Sequence, residues 1–293
     1  MNLRMAPGRA GLFGPGRQAA VRRDRARRPV CLAIGMSGSP MASRFRSPVP
    51  PGYTRPMPHL AITLGLSALP AVILLWYFYR RDRKRPEPLG LIGKSVLYGF
   101  LAVMPAAALE LGLDQLPIPQ TAFVQAFLVA ALVEESVKLF FVKRYLFRRP
   151  EFDERADGIV YAICVSLGFA FVENFLYGYK DVRILFLRGV TAVPLHAIAT
   201  GVMGYYLGIA KIEGMRDGIR QLAGARKKGL VWAIIIHGTY DFCLFTGGFA
   251  SLLVFPLLIA GWLVLNRIYK RALAEDDADP RLSPSQGFPD SLL

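Results

Sequence analysis

Seven stretches of the chain are dominated by apolar residues over about 20 positions, the length a helix needs to cross a hydrocarbon core. They run from about His59 to Tyr79, Gly90 to Leu111, Thr121 to Val142, Gly158 to Tyr179, Gly189 to Ala210, Gly229 to Phe245 and Phe249 to Tyr269. A backbone surrounded by lipid must satisfy its own N–H and C=O groups, which leaves the helix as the spanning form for such segments. The pattern predicts an all-α fold, a polytopic transmembrane helical bundle of about seven spans.

Composition supports this and divides the chain. Hydrophobic residues make up 53% of the 293 and the mean hydropathy is +0.35, above the roughly 45–50% apolar content of soluble domains. The net charge is +15, and residues 1–56 hold eleven Arg and one Asp, so +10 of it falls there. That stretch is rich in Gly, Pro and Ser and has no apolar periodicity, so it is expected to be disordered. An Arg-rich arm attracts phosphate, but no nucleic acid is expected as a partner; the lipid bilayer is. A start at Met41 or Met57 would remove most of this extension. The connections after the first, third and fifth runs carry clusters of Lys and Arg, while that around Asp114 to Gln120 carries none, which places the basic ones on the cytoplasmic side. The resulting organisation is a basic extension over 1–56, the bundle over 57–271 and a disordered cytoplasmic tail over 272–293. Cys31, Cys164 and Cys243 are far apart and form no CxxC pair, so neither a disulfide framework nor a cysteine metal site is expected.

Against the apolar background the polar residues stand out. An ionisable group at the bilayer centre costs about 2.5–3.5 kcal/mol on insertion scales, so those that are retained usually serve a function. The third run contains Glu134, Glu135 and Lys138, the fourth Glu173 and Asn174, the fifth His196, and the sixth His237 and Asp241. Glu134 and Lys138 lie one helical turn apart and face the same way, which turns Glu135 about 100° aside. His237 and Asp241 share that spacing, and a carboxylate beside an imidazole orients the ring. Gly238 permits close approach of a neighbouring helix. Taken singly, each has a plainer explanation: a structural ion pair for Glu134–Lys138, interhelical hydrogen bonding for a His or for Asn174, an interfacial position for Glu110. Taken together, four helices each contribute a Glu or a His, and helix bundles build cofactor sites that way.

Two His and up to three Glu with no Cys nearby suit zinc or another divalent metal. Such an ion brings the pKa of bound water to about 7, and a further Glu would act as base. Without metal, a Glu would activate water while His and Asn stabilise an oxyanion. Both routes are hydrolytic. Ser136 and Ser166 have no local partner that would activate them. The competing class is a proton- or cation-coupled transporter, in which buried Glu and His form a relay, although the halves show no repeat. A scaffold or sensor is a third. Depth separates them, since a hydrolytic site converges on one pocket whereas a relay strings across the membrane. At 1.5 Å per residue the apolar boundaries put Glu135 and Glu173 more than about 10 Å apart in depth.

The motifs carry a resemblance. Glu134-Glu135-Ser136-Val137-Lys138 resembles the EExxK signature of the PrsW family of intramembrane proteases. Phe169 to Glu173-Asn174 resembles its FxxxEN motif, His196 its intramembrane His, and His237-Gly238-Thr239-Tyr240-Asp241 its HGxxD motif. Trp76 to Arg83, followed by Pro86-Glu87-Pro88, is similar to its first span and loop. The likeness covers about residues 57–270. It implies a bacterial plasma-membrane metalloprotease, distantly related to the CAAX-prenyl-endopeptidase-like family, whose partner is a membrane-protein substrate; one branch performs site-1 cleavage of an anti-sigma factor. Carried over, Glu134 and Glu135 would activate water or bind metal. Glu173, His196 and His237 would be metal ligands or oxyanion stabilisers, Asp241 would orient His237, and Lys138 and Asn174 would support. Because Lys138 is placed to neutralise Glu134, Glu135 is the expected base.

Overall fold

Each apolar run folds as helix, and no strand occurs among the described residues, which in this computed structural model are 58–81, 85–217 and 219–282. The predicted extension 1–56 and residues 283–293 of the predicted tail lie outside them. Helix α1 spans Pro58–Tyr79 and α2 spans Leu89–Asp114. The third run is helical over 122–146 but changes winding twice, with α3 (Leu132–Phe141) between wider π-helical turns at Val124–Ala131 and Val142–Leu146. Then come α4 (Arg155–Lys180), a short α5 (Ile184–Val190), α6 (Ala192–Asp217), α7 (Ile219–Thr246) and α8 (Val254–Ala278). Six helical stretches are long and apolar enough to cross a membrane. With the divided third run they form a helical membrane bundle of roughly seven spans.

The helices do not share burial equally. In the most apolar stretch of α4, 78% of residues are buried, against 17% in α1 and in the stretch containing α8. Helix α4 is therefore the hub, and it crosses α2 and α6 where glycines let backbones touch. A Cβ added at Gly168 would sit 2.1 Å from the carbonyl oxygen of Val96, and one at Gly99 would sit 2.0 Å from that of Val165. Gly158 meets Gly204 in the same way, at 2.4 Å from its carbonyl oxygen. Small residues at crossings are how helices pack where lipid offers no hydrophobic drive. The outer surface is apolar: Met104, Phe186 and Leu263 are 71%, 79% and 62% exposed, as a surface that meets acyl chains requires.

The N-terminus of α4 is held by carboxylates. Asp157 Oδ2 accepts from the backbone N–H groups of Asp153 and Glu154, and Asp276 accepts from those of Arg155 and Ala156 and from the Arg155 guanidinium. Acidic groups satisfy the free N–H groups there and complement the helix dipole. Asp276 is buried on α8, which runs to Ala278. This corrects the sequence boundary at Arg271: the residues just beyond it are helical, because Asp276 has a structural partner that local composition does not reveal.

Candidate active site

Four helices bring the predicted residues to one place. Glu134, Glu135 and Lys138 come from α3, Glu173 and Asn174 from α4, His196 from α6, and His237 and Asp241 from α7. All but Asp241, whose side chain is 14% exposed, are buried. Residues near the middle of a helix are held by turns on both sides, so the cluster sits on rigid backbone rather than on loops.

Lys138 is its cationic centre. Its Nζ lies 2.8 Å from Glu135 Oε1, 3.1 Å from Glu134 Oε2 and 3.0 Å from His196 Nδ1, and 4.2 Å from the centre of the Phe169 ring. Three hydrogen bonds use the three donors of an ammonium. The sequence expectation that Lys138 pairs with Glu134 and leaves Glu135 free is therefore not met, because the long lysine stem reaches both carboxylates. Glu135 is in fact the more engaged of the two. Its Oε1 also meets His237 Nδ1 at 3.0 Å, and its Oε2 accepts from Thr200 Oγ1 at 2.8 Å. The recorded contacts of Glu134 all fall on Oε2.

His196 joins the inner and outer halves of the site. Its Nε2 lies 2.8 Å from Glu173 Oε2, opposite the nitrogen that meets Lys138. Glu173 and Glu135 are thus joined through His196 and Lys138 by successive contacts of 2.8, 3.0 and 2.8 Å. Glu173 is also paired with Arg188 at 2.9 Å. Arg188 Nε donates to Asn174 Oδ1 at 2.8 Å, and Asn174 Nδ2 is buried without a hydrogen-bond partner. His237 stands edge-on to His196, with ring centres 5.0 Å apart. Its Nε2 faces Asp241 Oδ2 at 3.2 Å, so a carboxylate stands at each end of the ring. The i, i+4 reading of His237 and Asp241 is met. Gly238 also admits a neighbour, the Phe127 ring, which lies 2.3 Å from where a Cβ would be.

Glu134, His196 and His237 each offer one donor atom, all within 4.8 Å of one another. This mixed oxygen and nitrogen set fits zinc or a related divalent ion. Glu173, expected with the two histidines as a ligand, is not in this group; it meets His196 at Nε2, where a carboxylate orients the ring. Three residues of the neighbourhood escaped the sequence. Thr200 lies one turn beyond His196, and that spacing would have found it. Arg188 looked like one more loop cation, and nothing local shows that it folds inward. Glu110 was expected at the interface but is 2% exposed. A surface cavity of about 520 Å³ is lined by Pro105, Leu109, Leu132, Val133, Ser136, Val137, Phe140 and Phe141 and by none of the clustered residues. Ser166 donates to the His196 carbonyl oxygen at 2.6 Å, a structural bond.

The profile of the PrsW family of intramembrane metalloproteases matches residues 87–265, a span that holds every residue of the cluster. The chain belongs to the PrsW family. It is 36% identical to the protease PrsW of Oceanobacillus iheyensis over 216 residues, covering 71% of this chain and 95% of that one. With the protease PrsW of Geobacillus kaustophilus it shares 35% identity over 71% of this chain and 91% of the relative. With that of Bacillus subtilis it shares 33% over 72% and 94%. No solved structure matches the chain. As a PrsW family member it is a membrane-embedded protease.

Proposed function

We propose that the chain cleaves a peptide bond in the membrane-embedded segment of a single-pass protein in the bacterial plasma membrane, with Glu134 activating the attacking water. A single-pass anti-sigma factor is the substrate that the family resemblance suggests. The catalytic unit is the bundle, read from sequence as 57–271. The observation that carries this reading is the set of donor atoms of Glu134, His196 and His237, within 4.8 Å of one another and buried where four helices meet.

Glu134, His196 and His237 would hold the metal implied by the family's description, with the Lys138 ammonium giving up His196 Nδ1 to it. When bound, it supplies Lewis acidity and an acidified water. Glu173 keeps the His196 ring oriented from behind, and a carboxylate remains on the outer nitrogen of His237. Glu134 has an oxygen free of other contacts, which receives a proton from the attacking water as the water oxygen bonds to the scissile carbonyl carbon. That proton then passes to the departing amine as the C–N bond breaks, which leaves a new carboxyl and a new amino end. Asn174 Nδ2, a buried donor with no partner, hydrogen bonds to the carbonyl oxygen as it gains charge. Lys138 and Thr200 hold Glu135, which in turn positions His237.

The test reconstitutes the protein with a single-pass reporter and compares wild type with Glu134→Gln and Glu135→Gln. Glu134→Gln should lower kcat by about 10²–10⁴-fold, the usual contribution of a general base. A Glu134→Gln enzyme that cleaves at the wild-type rate while Glu135→Gln is inactive would move the base to Glu135.

A further inference from the structure

We propose that Glu110 is a substrate-contacting residue of this site, accepting a hydrogen bond from a backbone N–H of the unwound substrate segment. The inference rests on the protease reading above. Glu110 lies in the last turns of α2, on the face that buries Val103, Ala106 and Ala107, and is 2% exposed. Neither of its carboxyl oxygens has a hydrogen-bond partner. Among the described buried acids this is singular. Glu87 meets Tyr161, Asp157 and Asp276 cap α4, Glu154 meets Arg85, and Glu134, Glu135 and Glu173 are held by Lys138 or Arg188.

A buried carboxyl with neither oxygen bonded is costly and serves no packing role that Gln or Leu would not fill better. The face of α2 that carries Glu110 packs Val103, Ala106 and Ala107 against Val133 and Val137 of α3 and Phe169 of α4, the helices that supply Glu134 and Glu173. The two buried cations of the cluster meet other groups: Lys138 meets Glu134, Glu135 and His196, and Arg188 meets Glu173 and Asn174. A donor that arrives with a ligand satisfies these oxygens. A transmembrane substrate must unwind around its scissile bond, and each N–H so released has no water to bond in hydrocarbon. Glu110 offers that N–H an acceptor, while the free Asn174 Nδ2 offers a donor to a carbonyl. A carboxyl keeps an acceptor oxygen in either protonation state, so the contact does not depend on titration.

The experiment uses full-length protein in proteoliposomes with a single-pass reporter. It measures kcat, KM, bound metal and detergent Tm for wild type, Glu110→Gln, Glu110→Leu and, as the inactive control, Glu134→Gln. Glu110→Leu should lower kcat/KM about tenfold, the worth of one hydrogen bond, with Tm unchanged or raised. Glu110→Gln, which keeps an acceptor, should stay within about threefold of wild type. The proposal is overturned if Glu110→Leu cleaves like wild type, or if its activity falls only in step with its Tm, which would mark a structural role. It is also overturned if Glu110→Gln loses bound metal, which would mark a ligand, or is as impaired as Glu110→Leu, which would mark proton transfer. A wild-type protein that cleaves no reporter overturns the protease reading itself, and this inference with it.

Discussion

Lys138 carries more of the site than any other single residue. Its ammonium is wholly buried and gives its three hydrogen bonds to Glu134, Glu135 and His196. Removing one member of such a buried network leaves the remaining charges uncompensated, at a cost of about 3–5 kcal/mol. Lys138→Met should therefore lower the detergent Tm and abolish cleavage, read by thermal unfolding and a reporter assay on the same preparation. Thr200 is a milder probe. Thr200→Val keeps the shape but leaves Glu135 Oε2 unbonded, which should cost about 1–3 kcal/mol. If Tm does not move in Thr200→Val, its bond to Glu135 is not holding that carboxylate.

At the scale of elements, the site depends on how closely α2 and α4 cross. Gly99 and Gly168 put each helix's backbone against the other's carbonyl oxygens, Val165 and Val96. A side chain at either position must push the axes apart and would carry Glu173 away from α3 and α6. Gly168→Val should destabilise by at least about 1–3 kcal/mol, as overpacked cores do, and should reduce cleavage. Gly65→Ala is the control, because nothing lies within 4 Å of the Cβ it would add. Equal Tm and activity for the two variants would show that this crossing does not set the geometry. The changes of winding on either side of α3, at Val124–Ala131 and Val142–Leu146, belong to this scale too.

For the whole molecule, burial is concentrated in α4 and the neighbouring α6, while the outer helices show apolar faces. A water-excluded centre strengthens every electrostatic contact made there. It also makes a bound ion a large part of the local energy balance. Stripping divalent metal with a chelator should lower cleavage and Tm together, and zinc should restore both, with metal content followed by elemental analysis. If the stripped protein cleaves at full rate, Glu134 acts on water unaided.

The sequence by itself determined the helical membrane class, the approximate spans and the members of the polar cluster. These follow from local physics: apolar length sets the spans, and charge is too costly in lipid to be kept without use, so Glu134, Glu135, Lys138, Glu173, His196, His237 and Asp241 announced themselves. Helical spacing also gave the His237–Asp241 contact, which lies within one element. Only the tertiary structure decided which groups meet across elements. It joined Lys138 and Glu173 to His196, joined Glu135 to Thr200 and His237, folded Arg188 against Glu173 and Asn174, and buried Glu110. Those outcomes depend on crossing depth and rotation, which glycine contacts and winding changes fix between helices and which no single segment encodes.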